Sequence, residues 1–385
     1  MSQAVKSFID SVITVKPQYT EKLNLVLEFT ARKLWHEMTS GSATLLEDKS
    51  FCQEFGRAFH DSVLRANREY MNPFAYARMV LLVGTSISDP GALVEFLTVN
   101  AVTPEYEANE SIRCEEACVR ILRMQDRTLY EKAVAEIEAY LGKQERLSVA
   151  NLLHMQYHRM RAAAEWLEGN YDAYYHSVFQ YLAYCDAKVT LPAVDVDTLA
   201  TRLATAALCS SKVHNFGEFV TNSVITGALK ADNLTLFEIL HSFNDGDVQR
   251  FESVAKSGAL NGIETLAKNT EALRRKVTLM ALLHLVFYTP VDKRVFTFTQ
   301  IAERCNVPKE KVEIVLLKAF ALGLIKGGMD EIEETVNVTY IQPRVLHMAE
   351  IATFTQNLTK WSEQVTSTER GMTNYLQKLM ESQVE

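Results

Sequence analysis

Over residues 130–141, 147–167 and 171–184, apolar positions recur at three- and four-residue intervals, the spacing that gathers side chains on one face of a helix. Gly142 and Gly169-Asn170 interrupt that rhythm and predict turns between successive helices. The same period returns over 234–243 and 248–255, on either side of Asn244-Asp245-Gly246-Asp247, four residues whose side chains or backbone freedom favour turns. A further helix is predicted over 272–288. Trp166, Gly169 and Tyr171 give the 147–184 pair the character of a tetratricopeptide-type hairpin. No strict repeat of about 34 residues runs through the chain, so the pattern predicts a degenerate stack of helical hairpins.

Proline placement agrees with this. A proline inside a helix costs about 3 kcal/mol and is therefore driven to boundaries. The chain has only eight, none between Pro104 and Pro192 or between Pro192 and Pro290, and both spans are rich in Ala, Leu, Glu and Lys. The first two-thirds of the chain is predicted to be helical.

The pattern changes at Thr297. Thr297 stands three residues before Gln300, the spacing of a capping box at a helix start, and predicts a short helix over 298–304 ended by Asn306. Pro308 suits the first position of the next helix, where a missing amide hydrogen costs nothing. Val312, Val315, Leu316, Ala319 and Phe320 follow at helical spacing, closed by Gly323 and Leu324. Residues 324–326, the Gly327-Gly328 turn region and the alternating Val336-Asn337-Val338-Thr339-Tyr340 then read as two strands of a wing. Residues 276–342 are predicted to form a winged helix.

The last stretch has another period. Ile351, Phe354, Leu358, Trp361, Val365, Met372, Tyr375 and Leu379 follow alternating three- and four-residue steps, with Thr368 breaking the seam. A heptad stripe of this length needs cover, from partner helices or from the chain's own core. Its terminal position after a completed domain favours partner helices.

Length and composition change the picture little. A chain of 385 residues with 48% hydrophobic content is enough for two or three cored domains. Charge matters more. Between residues 291 and 345 eight Lys and Arg are balanced by eight Asp and Glu, whereas a winged helix that reads DNA needs surplus positive charge on its second helix and wing. The wing, Asp330-Glu331-Ile332-Glu333-Glu334, is the most acidic stretch and would repel a phosphate backbone. Nucleic acid is therefore not an expected partner. Neither is a membrane: the most apolar neighbourhood, residues 279–288, includes His284 and is too short to cross a bilayer. Lys6, Asp10 and Lys16 fall where a signal peptide would need an unbroken apolar run. An intracellular protein is expected.

Candidate chemistry is sparse. The six cysteines show no paired zinc spacing, and Cys114 and Cys118, four apart in CEEAC, lack two further ligands nearby. They are expected to be buried, reduced thiols. His154 and His158 have the i, i+4 spacing of a zinc-binding pair, but Met155 and Gln156 stand where a metalloprotease carries its glutamate. The pair is expected to be partly buried and hydrogen-bonded. No phosphate-cradling glycine loop occurs, and Gly84-Thr85-Ser86-Ile87-Ser88 lacks the closing glycine of a nucleophile elbow. No catalytic residue, cofactor or metal is expected.

Helical hairpins, a charge-neutral winged helix and a terminal helix together resemble the PCI-domain subunits of the proteasome lid, the signalosome and translation initiation factor three. NFGEFV at 215–220, LHSFNDGDVQRFES at 240–253, KLWHEMT at 33–39 and above all LGLIKGGMDEIEETVNVTYIQPRVL at 322–346 are similar to the lid's subunit-nine family. The stretch MNPFAYARMVLLVGTSISDPG at 71–91 carries no clear family motif. The resemblance implies a mainly α fold: a right-handed, TPR-like solenoid of hairpins over 1–225, a PCI domain over 226–344, and a C-terminal bundle helix over 345–385. It implies a non-catalytic scaffold of the proteasome regulatory particle in cytoplasm and nucleus, serving ubiquitin-dependent degradation. Implied partners are PCI-type lid subunits through an exposed wing edge at Val336, Val338 and Tyr340, and a helical bundle of lid subunits through the terminal seam. Ubiquitin-receptor and deubiquitinase subunits are further candidates. A signalosome or initiation-factor scaffold is the alternative within the class, and a nucleic-acid-binding adaptor the alternative outside it.

Overall fold

The structure, a computed structural model, describes residues 3–143, 150–185, 193–290, 293–345 and 348–382. It divides into two compact units, Met1–Lys212 and Val213–Glu385.

The first unit is built of consecutive helices packed in pairs. Thr20–Ala31 lies on Trp35–Leu46, and Asn151–Glu168 packs on both Tyr171–Tyr184 and Tyr106–Val119. Helix starts are set locally. The Asp48 carboxylate accepts from the Ser50 and Phe51 amides, Asn72 from Phe74 and Ala75, and Asp89 from Ala92. Each such cap is worth about 1 kcal/mol. Pro73 and Pro90 occupy the first helical position directly after two of them, where no amide hydrogen is missed. The TPR-like hairpin forms as expected, with Gly169 left-handed at φ 71° and the Trp166 ring packed against Tyr171 and Tyr174. The helix predicted over 147–167 runs Asn151–Glu168, and residues 147–149 lie outside the described residues.

Apolar cores among the described residues hold this unit together. One is built around Phe51, whose ring meets Phe59 edge-on at 5.6 Å and Tyr19 at 5.1 Å. Another gathers Cys114, Cys118, Ile137, Leu153, Tyr157 and Met160. Cys114 and Cys118 are buried thiols outside any disulfide, as expected, and burial holds the Cys114 thiol well above its ordinary range and so protonated.

The second unit opens with short helices and the hairpin Leu234–Asp245 and Val248–Lys256. Gly246 turns the chain at φ 62°, and Asp247 caps the second helix through the Arg250 amide at 3.0 Å. Thr270–Tyr288 packs on both members of the hairpin. There follow β1 (Val295–Thr297), the helix Phe298–Cys305, a 3-10 turn Lys309–Lys311, the helix Val312–Ala321, β2 (Ile325–Asp330) and β3 (Thr335–Ile341). The strands form one antiparallel sheet in the order β1-β3-β2. A 35-residue helix, Met348–Ser382, ends the unit. No helix among the described residues is long and apolar enough to cross a membrane.

Candidate interaction surfaces: the winged sheet and the terminal helix

The helix-turn-helix forms as its local signals dictate. Gln300 donates its amide to Thr297 Oγ1 at 3.3 Å while the Thr297 amide donates to Gln300 Oε1 at 3.1 Å, completing the capping box. Asn306 ends the helix in the left-handed conformation, φ 51°. Pro308 precedes a 3-10 turn rather than opening the second helix directly, so that helix begins at Val312. Phe298, Ile301, Val312, Leu316 and Ala319 point inward with Phe296, Val336 and Val338. Val315 and Phe320 are half-buried, while Ile314 and Leu317 stand in solvent.

The sheet corrects one expectation. Val336, Val338 and Tyr340, expected on a free edge, lie on β3, which is the central strand. Residues 335–337 pair with β1, and residues 335–341 pair with β2 across a bulge at Lys326/Gly327. The Val338 amide donates to Arg294 O at 2.9 Å. Val336 and Val338 are each only 1% exposed, so neither backbone nor side chain is offered to a neighbour. Tyr340 stays half in solvent, with the Lys326 ammonium 5.0 Å above its ring. Sequence reading missed β1, a strand of three residues; the β-favouring Val295-Phe296-Thr297 just before the capping box was its one signal. With β1 on one side, the open edge of the wing belongs to β2, residues 325–330.

The terminal seam is uncovered. Ile351, Phe354, Leu358, Trp361, Val365, Met372 and Tyr375 are between 43% and 66% exposed along one helix. Leu379, the last member, lies outside the residues whose side chains are described. A row of this kind is far more apolar surface than scattered exposed residues supply.

Among the described residues no group of three or more His, Cys, Asp or Glu is placed to hold an ion around the histidine pair. Instead the Tyr184 ring stacks on His154 at 4.7 Å and on His158 at 5.8 Å. His158 Nδ1 is buried without a hydrogen-bond partner. Burial, with His154 and Arg161 nearby, pushes its pKa down to about 4.

Comparison with known proteins places this arrangement. A family model described as PSD13 N-terminal repeats matches residues 23–240, more than half of the chain. The chain belongs to the PSD13 family. A second model, the PCI domain, matches residues 259–339 and takes in the helix-turn-helix and most of the sheet. PSD13 relatives align along nearly the whole length. The 26S proteasome non-ATPase regulatory subunit 13 of Dictyostelium discoideum is 24% identical over 92% of this chain and 93% of its own. The probable 26S proteasome regulatory subunit rpn9 of Schizosaccharomyces pombe is 25% identical over 95% of each. A subunit M of translation initiation factor 3 from Aspergillus oryzae matches only 37% of this chain. The PSD13 assignment thus covers the N-terminal stretch in which no family motif was legible.

Proposed function

We propose that this chain is a non-catalytic scaffold subunit of the lid of the proteasome regulatory particle, supporting lid assembly and ubiquitin-dependent protein degradation in cytoplasm and nucleus. The observation that carries this reading is the uncovered apolar row on the terminal helix, Ile351 to Tyr375, which a helical bundle of neighbouring subunits would bury. The names of the full-length relatives support it. In this reading residues 1–225 form the solenoid, 226–344 the PCI module and 345–385 the bundle helix.

A second contact runs through the sheet. The open edge of β2 can extend a neighbour's sheet by main-chain pairing, with PCI-type lid subunits as the partners. Ubiquitin-receptor and deubiquitinase subunits are further candidates. Native affinity purification of the tagged chain, with mass spectrometry of co-eluting proteins at moderate salt, tests the whole. Recovery of lid subunits, ring ATPases and the proteolytic core is expected; recovery of signalosome or initiation-factor subunits, or of nothing, overturns it.

A further inference from the structure

The winged module carries another uncovered face. Ile314 and Leu317, three apart on the helix Val312–Ala321, are 64% and 51% exposed, and Ile332 at the wing tip is 95% exposed. Single exposed aliphatic side chains are ordinary. These three differ because the wing tip is tied to the start of the same helix. Glu331 lies near enough to Glu313, in the first helical turn, to hold its carboxyl above the ordinary range. Glu334 pairs with Lys309, one turn earlier. At the tip, Asp330 Oδ1 accepts from the amides of Ile332 and Glu333 at 2.9 and 3.1 Å, which fixes the turn that presents Ile332.

The rim of this face is anionic. Glu310 and Glu313 on the helix and its turn, with Glu331 and Glu333 on either side of Ile332, outnumber the exposed Lys311 and Lys318, and Lys309 is already engaged by Glu334. The shift at Glu313 comes chiefly from the Glu331 carboxyl. A guanidinium or ammonium placed between them would relieve that repulsion. On a DNA-reading winged helix this same face meets phosphate. Here exposed aliphatic side chains and the acidic wing stand beside Lys311 and Lys318, so the face lacks the cationic surplus that phosphate requires.

We propose that this face docks a basic amphipathic segment of a partner protein, its aliphatic side chains seated on Ile314, Leu317 and Ile332 and its Lys or Arg side chains over Glu313, Glu331 and Glu333. The complementarity is one of both apolar contact and charge, the latter setting specificity and encounter rate. The inference uses the winged module alone and stands apart from the lid reading, since neither the β2 edge nor the terminal seam takes part.

The test is fluorescence anisotropy of the full chain, at low salt, against a labelled synthetic amphipathic helix with leucines on one face and lysines on the other. The same helix with glutamates in place of lysines serves as its counterpart. The lysine peptide is expected to bind. Glu331→Lys with Glu333→Lys should weaken it at least about tenfold, a loss of about 1.4 kcal/mol, and should let the glutamate peptide bind. Ile314→Ser with Leu317→Ser should weaken the lysine peptide comparably while far-UV circular dichroism stays unchanged, because both side chains are already solvated. Absence of binding, or binding that neither double variant alters, overturns the proposal. So does self-association of the chain that Ile314→Ser with Leu317→Ser abolishes, which would give the face to a second copy, and so does tighter binding of duplex DNA than of the lysine peptide.

Discussion

Arg344 donates from Nη2 to the main-chain carbonyl oxygen of Asn244 at 2.7 Å, joining the residue just after the wing to a hairpin turn a hundred positions earlier. The same guanidinium stands 5.6 Å above the Phe287 ring. One side chain thus ties the exit of the sheet to the hairpin and to the long helix beneath it. A charge-assisted hydrogen bond of this kind is worth about 1.5–3 kcal/mol. Arg344→Met should keep the apolar stem, lose the bond, and lower stability by about 2 kcal/mol, read as a lower urea midpoint for the unfolding step of the second unit.

Two glycines separate backbone conformation from space. Gly169 and Gly246 are both left-handed, at φ 71° and 62°. A side chain at Gly169 would meet nothing within 4 Å, whereas a Cβ at Gly246 would lie 2.7 Å from Ala281 Cα and 2.9 Å from Met280 O. Gly169→Ala should therefore cost about 1–2 kcal/mol, the left-handed penalty alone. Gly246→Ala should cost more than twice as much, because the atoms it meets are backbone. Equal losses in thermal unfolding of the two variants would contradict this.

The capping box is a local device with a local cost. Thr297→Ala removes the acceptor for the Gln300 amide and should destabilise the winged module by about 1 kcal/mol. Thr297→Ser should restore most of it. Hydrogen exchange at the Gln300 amide is the direct readout.

Stability should fall on mild acidification. His158 is held neutral, its pKa near 4 against an ordinary 6.5, and burial lowers that of His60 as well. Below about 6.5 the unfolded chain binds protons that the folded chain refuses, so unfolding is favoured as pH drops. The stabilisation is complete above 6.5 and is lost on the way down to the folded value, near 4 for His158. Each group contributes a slope of at most about 1.4 kcal/mol per pH unit. His158→Gln should flatten the dependence in that window, measured by urea unfolding at several pH values.

The terminal helix offers the sharpest separation of folding from assembly. Leu358 and Trp361 are 45% and 64% exposed, so Leu358→Asp with Trp361→Asp should leave helicity and unfolding of the chain unchanged. Incorporation into the complex should weaken in the same cells. Normal incorporation of the double variant would mean that the row meets no partner.

What the sequence determined by itself was everything governed by neighbours a few positions away. The capping box at Thr297, the helix end at Asn306, the Gly246 turn and the heptad row on residues 351–375 were all legible, because each is set by interactions within one or two turns of chain. The tertiary structure decided what depends on distant pairing. The alternation of Val336, Val338 and Tyr340 identified a strand but not its position in the sheet. That position was taken by β1, whose three residues carry too weak a local signal to announce a pairing partner some 40 positions away. Its arrival makes β3 the central strand and leaves the edges of the sheet to β1 and β2. In the same way, helical spacing alone could not say that Ile314 and Leu317 would face water. Nor could it say that His158 would lie stacked under Tyr184 and refuse a proton, since burial belongs to the packed fold and to no single segment.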